Sequence, residues 1–157
     1  MKIIYYKKEH QYDFERLNKA WLNKYFDIEP LDIQFLSNPE EFILKDGGTI
    51  LFAEYQGYII GTVALVVVKQ NVYELAKMTV DEAYHGLGAG KFLCTSAIKE
   101  AKKRNAEKVI LYTNSRLETA INIYRKFGFK NTPLDGQKFK RANIKMELIL
   151  NTLNSTL

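Results

Sequence analysis

Short β-branched and aromatic runs alternate along this chain with stretches whose apolar residues recur every three or four positions. Residues 2–6 form the first such run and predict a strand. Phe14, Leu17, Trp21 and Tyr25 then make one apolar stripe, which predicts a helix. The acidic stretch 27–32, with Pro30 inside it, reads as the break that ends this helix. Asn38 is a good N-cap, with Pro39 at the first helical position and Glu40 and Glu41 in the first turn. A short helix is therefore expected to begin there.

Three strands are predicted next, over residues 49–55, 58–69 and 72–80. Their connections are short, so they read as an antiparallel meander. Gly61, inside the second of them, marks a bulge or a close backbone approach. After Val80 the period changes. Residues 88–104 read as a helix with Ala89, Leu93, Ala97 and Ala101 on one face, and its last turn carries Lys102, Lys103 and Arg104. A strand over 108–113 follows, then a helix over 117–127 that stops at Gly128, a natural left-handed cap. After a turn at 133–136, residues 139–148 predict the last strand. The fold class expected is α/β, a mixed central sheet with an antiparallel N-terminal meander, flanking helices and one strand–helix–strand crossover.

Composition adds limits. A chain of 157 residues with 46% hydrophobic and 26% charged residues suits one globular domain. That domain is expected over residues 1–150, with 151–157 as a polar tail. The net charge of +5 suits a polyanionic small ligand as well as a nucleic acid, and no nucleic-acid motif accompanies it. Cys94 is the only cysteine, and His10 and His85 lie far apart, so neither a disulfide nor a metal site is expected. The longest apolar run, 63–68, is too short to span a bilayer, and the first eight residues lack a signal-peptide core. A cytoplasmic protein with no membrane partner is expected.

The chemistry gathers at His85, Gly86, Leu87, Gly88, Ala89, Gly90 and Lys91, between a strand and a helix. Glycines there admit an anion close to backbone N–H groups at the positive end of the helix dipole, which favours phosphate or pyrophosphate. A Walker loop ending at Gly90-Lys91 would need glycine where His85 stands and a hydroxyl where Phe92 stands. A dinucleotide fingerprint would need glycine at Lys91 or at Leu93. Both are excluded. Taken alone, the segment is equally a plain glycine-rich turn.

Together with Ala120-Ile121-Asn122-Ile123-Tyr124-Arg125-Lys126-Phe127-Gly128-Phe129, this loop resembles the two motifs of the GCN5-related N-acetyltransferase (GNAT) superfamily. The family's acetyl-CoA loop has the form Arg/Gln-x-x-Gly-x-Gly/Ala after its fourth strand, and the two motifs are separated by a helix and a strand, as they are here. The resemblance runs from Lys2 to about Leu150. It implies that Met78, Thr79 and Val80 pair through their backbone with the pantetheine arm, that residues 86–91 bind the pyrophosphate, and that Tyr124 faces the CoA sulfur. Asn114 is a further pantetheine contact on this basis. His85 replaces the usual Arg or Gln, so a fixed positive charge is lost, and Leu117 stands where many relatives carry Asn.

The activity so implied is transfer of the acetyl group of acetyl-CoA to a primary amine in a ternary complex, without a metal. Tyr124 would protonate the departing thiolate, and Glu74 would accept the amine's proton directly or through water. The N–H of Met78 or Val80 would face the oxyanion. Periodicity alone would place Tyr124 in the core with Ala120 and Phe127, and Glu74 would serve equally as a solvated charge. Asp27 and Glu29 are either amine-binding acids or exposed loop residues; Cys94 and Trp21 read as packing residues. A CoA-binding module without catalysis is the alternative, and a homodimer is compatible with either reading.

Overall fold

The computed structural model describes residues 1–150, so the tail expected at 151–157 lies outside the described residues. Strand β1 (Lys2–Tyr5) leads through a 3₁₀ turn into α1 (Gln11–Tyr25) and α2 (Pro30–Ser37). The meander is β2 (Thr49–Tyr55), β3 (Tyr58–Lys69) and β4 (Val72–Val80). Then come α3 (Ala89–Lys103), β5 (Lys108–Thr113), α4 (Glu118–Lys126), β6 (Lys130–Thr132) and β7 (Ile144–Ile149). Seven strands form one sheet in the order β1-β2-β3-β4-β5-β7-β6. Among the described residues only the β4–β5 pair is parallel, and α3 supplies its crossover.

Helices cover both faces, which makes the sheet's central strands nearly continuous in hydrophobic residues. On one face Leu93, Cys94 and Ala97 of α3 pack with Tyr124 of α4 over Leu65, Leu75 and Leu111. On the other, Phe14 and Leu22 of α1 and Phe35 and Leu36 of α2 cover Ile50, Phe52 and Ala64. Asn18 is buried within α1 and satisfied by donating from its amide to the carbonyl of Phe14 at 2.9 Å.

Three departures from the expected elements have local causes. The acidic stretch after α1 does not stay irregular: Pro30 starts α2 at its first position, and the backbone N–H of Glu29 donates to the Asp32 carboxylate at 2.9 Å. The helix expected after Asn38 is a single π turn, Glu40–Leu44, entered with the Glu41 N–H donating to Asn38 Oδ1 at 3.4 Å. The last strand begins at Ile144 rather than at Phe139, because residues 133–143 loop back over the sheet and the short β6 takes the edge beside β7.

The meander carries two irregularities that matter later. Ala53 and Glu54 of β2 face Gly61 and Ile59 of β3, so β3 holds one extra residue beside Gly61. Thr62 and Ala64 of β3 face Thr79 and Ala76 of β4, so β4 holds one extra residue in turn, and Lys77 there has a φ of 56°. At Gly61 the close approach is explicit: a Cβ would lie 2.9 Å from Leu93 Cδ1 and 3.1 Å from the Thr79 carbonyl oxygen. Gly61→Val is expected to destabilise the fold by about 1–3 kcal/mol through overpacking against α3. Urea unfolding should show a lower midpoint at an unchanged m-value.

Candidate active site

β4 and β5 are bonded only where Val72, Tyr73 and Glu74 face Lys108, Val109 and Ile110. Beyond Glu74 the two strands make no ladder pair with each other, and β4 presents a strand edge there. An unpaired edge offers its N–H and C=O groups to any extended partner. Two openings meet at this split, and Trp21, Met78, Leu117 and Ala120 line both.

The larger opening is a cleft of about 770 Å³ between α1, the segment after β4 and the start of α4. The glycine loop forms its floor. Gly86 and Gly88 have φ of 90° and 78°, conformations that side chains disfavour, and Gly88 is the N-cap of α3. Among the described residues no protein acceptor takes the backbone N–H of any of residues 86–91. Those donors sit at the positive end of a helix of 15 residues, where the dipole favours negative charge. His85 is exposed and its Nε2 lies 3.2 Å from the Val80 carbonyl oxygen, so the ring bonds its own strand end. Lys91 is exposed beside the cleft. Arg16 pairs with Asp81 at 3.7 Å, and Lys24 pairs with Glu82, so α1 is tied to the turn that precedes the loop.

The smaller opening is a cavity of about 160 Å³ that reaches through the split between the sheet's two faces. Tyr124 lines it from α4, with its ring set edge-on to Phe129 at 5.8 Å. Burial pushes the Tyr124 phenol far above its ordinary value, so it holds its proton at neutral pH. Glu74 lines the same cavity, half-buried, and among the described residues it has neither an ion pair nor a side-chain hydrogen bond. Burial raises its carboxyl above the usual range, against the pull of Lys138, Lys77 and Lys145. Cys94 lies inside the core beneath α3, and burial alone pushes its thiol up to about 12, so it stays a thiol.

One buried ionic cluster was not legible from the sequence. Asp32 of α2 is fully buried, receives Lys77 Nζ at 2.6 Å, and takes both Arg141 guanidinium nitrogens at 2.7 and 2.8 Å. Burial alone would raise its carboxyl; the Arg141 and Lys77 bonds outweigh that and hold it down at about 2. Arg141 and Lys77 flank Phe139, with the guanidinium 4.3 Å and the ammonium 4.4 Å from its ring centroid. Glu29 accepts from the Lys140 backbone N–H at 3.1 Å and pairs with Arg141, so it anchors the 133–143 loop, whereas Asp27 is exposed. Both ends of the Asn114 amide are engaged, donating to the Arg141 carbonyl at 2.8 Å and accepting from the Arg116 N–H at 2.9 Å. Asn114 lines the cavity and Leu117 lines both openings. Met78, Thr79 and Val80 all line the larger cleft.

Comparison with known proteins places this geometry in a family. The chain matches the Acetyltransferase (GNAT) family over residues 11–129, more than half its length, and it belongs to that family. It is 26% identical over 126 residues to N-acetyltransferase 8B of Homo sapiens, covering 77% of this chain and 53% of that protein, so it spans about half the length of this curated relative. An acetyltransferase of the GNAT family from Staphylococcus aureus Mu50 is similar in structure, with a TM-score of 0.85, 25% identity and coverage of 96% of this chain and 99% of that one. The fold is also that of yncA from Salmonella typhimurium, solved with its cofactor acetyl-CoA, at a TM-score of 0.74 and 17% identity over 96% of this chain and 94% of that one. Among the described residues no group of His, Cys, Asp and Glu is arranged to hold a metal, and no helix is long and apolar enough to cross a membrane.

Two outcomes follow from these placements. Gly88→Asp should abolish acetyl-CoA binding by straining the loop and setting a carboxylate beside the donors, whereas His85→Ala should weaken it about threefold or less; isothermal calorimetry giving the reverse order would contradict a backbone-built loop. Asp32 is lower in the folded chain than in the unfolded one, so the unfolded state binds its proton first as pH falls. It therefore contributes about 2 kcal/mol above pH 4, lost progressively toward pH 2. Acid unfolding of Asp32→Asn should show a correspondingly shallower loss of stability across that window.

Proposed function

We propose that this GNAT-family chain transfers the acetyl group of acetyl-CoA directly to a primary amine while both substrates are bound. The observation that carries the reading is the meeting of the two openings at the β4–β5 split, with Trp21, Met78, Leu117 and Ala120 in common. One opening has a loop suited to a pyrophosphate, and the other has an unpaired carboxylate and a phenol. A site with two mouths needs no acetylated enzyme, and the only cysteine is an inert, buried thiol.

In this reading residues 86–91 hold the pyrophosphate with backbone N–H groups, with His85 at the margin of the loop. The pantetheine arm runs along the free edge of β4 at Met78, Thr79 and Val80, like an added strand. The thioester then lies at the split. Glu74, with its raised carboxyl, takes a proton from the acceptor ammonium, directly or through water. The freed nitrogen pair attacks the thioester carbon, so a C–N bond forms while the carbonyl electrons move onto oxygen, facing a β4 N–H. The electrons return, the C–S bond breaks and the thiolate takes a proton from the Tyr124 hydroxyl; the nitrogen's surplus proton passes through water to the tyrosinate, and Glu74 releases its proton to solvent. Asn114, through its bond to the Arg141 carbonyl, holds the loop over the acceptor side and so positions rather than reacts.

Tyr124→Phe keeps the ring packing and removes the proton. Its kcat is expected to fall about 10²- to 10⁴-fold, with the acetyl-CoA dissociation constant changed by less than about threefold. Thiol release from acetyl-CoA across a panel of amines measures this. Binding of acetyl-CoA with no thiol released by the unaltered protein on any amine would instead make it a CoA-binding module.

A further inference from the structure

In a regular strand, residues three apart point to opposite faces. Glu74 and Lys77 are three apart on β4, yet both line the smaller cavity. The extra residue in β4 explains this: the bulge, with Lys77 in a left-handed conformation, re-aims the lysine onto the side of the sheet that Glu74 occupies. The bulge thus sets a carboxyl and an ammonium on the wall of one small cavity.

The Lys77 side chain is 8% exposed, its ammonium donates to Asp32 at 2.6 Å and faces the Phe139 and Phe35 rings at 4.4 and 5.7 Å, and of its three donors only the one to Asp32 has a hydrogen-bond acceptor among the described residues. Asp32 neutralises it from behind but does not itself line the cavity, so the cavity wall shows Lys77, Arg141 and the unpaired Glu74. A volume of about 160 Å³ resembles that of an engineered cavity of about 150 Å³ that binds benzene, so the guest has roughly six heavy atoms.

We infer that the acceptor is a small amine bearing a carboxylate, bound with its carboxylate on Lys77 and its nitrogen toward Glu74. The inference rests on the acetyl-transfer reading above. The products are an N-acetylated amino acid and free CoA thiol.

The test, with the full chain and acetyl-CoA, compares pairs in which a methyl group replaces the carboxylate: β-alanine against propylamine, and glycine against ethylamine. The carboxylated member should have the higher kcat/KM by about tenfold or more, the scale of one charge-assisted hydrogen bond. Lys77→Met should raise KM for β-alanine far more than it lowers kcat and collapse the preference over propylamine. Lys77→Arg should restore much of it. Equal or better use of the plain amines by the unaltered protein overturns the inference, as does a Lys77→Met enzyme that loses both members of a pair alike. Acetyl-CoA binding seen by calorimetry with no carboxylated amine acetylated overturns the acceptor alone. No acetyl-CoA binding removes the acetyl-transfer reading and this inference with it.

Discussion

Parallel strands need a long crossover, and here that crossover is α3, whose N-terminus must rise beside the C-terminal end of β4. The pairing it closes lasts from Val72 to Glu74 and then stops, with no further ladder pair between β4 and β5. The rest of the molecule is arranged around that failure. The free edge of β4, the cleft, the glycine loop at the start of α3 and the small cavity between the faces all follow from it. Helices on both faces carry the burial, so the split costs little in core contact. Leu93 and Leu111 are buried on one side, and Phe14 and Phe52 on the other.

The second constraint is the Asp32 cluster. A buried carboxylate with two cations is expensive to desolvate and is weak evidence of stability in itself. Its value here is geometric. It joins α2 to the β4 bulge through Lys77 and to the 133–143 loop through Arg141, with Glu29 and Asn114 pinning that loop from other sides. These contacts fix the outer wall of the cavity, while the Arg16–Asp81 and Lys24–Glu82 pairs fix the wall of the cleft. Charge pairs hold the site's walls where hydrophobic packing holds its floor.

The meander, the crossover, α3 and α4 were legible because each is governed by local signals: β-branched runs, three- and four-residue spacing, and glycine at caps. The loop at residues 86–91 was legible for the same reason, since positive φ and free N–H groups call for glycine. Asp32 was not. An acid beside proline reads as surface, and only partners 45 and 109 residues away decide that it is buried. The signal that α2 existed was Pro30 at a first helical position, obscured by the acidic residues around it. The β4 bulge left no mark on the sequence either, because Lys77 adopts a conformation in which glycine or asparagine would be the local choice. Residues 133–143 carry strand-like aromatic and basic residues, yet Phe139 is drawn out of the sheet by two cations that sequence spacing does not show.

We propose that one continuous surface, the free edge of β4 and the N–H groups of the glycine loop, receives acetyl-CoA. Amide hydrogen exchange followed by mass spectrometry, with and without acetyl-CoA, tests it most directly. The account predicts that acetyl-CoA slows exchange at residues 78–80 and 86–91 together, with little change at β1 and β2. Protection at the loop without protection at β4, or protection confined to other elements, would contradict it.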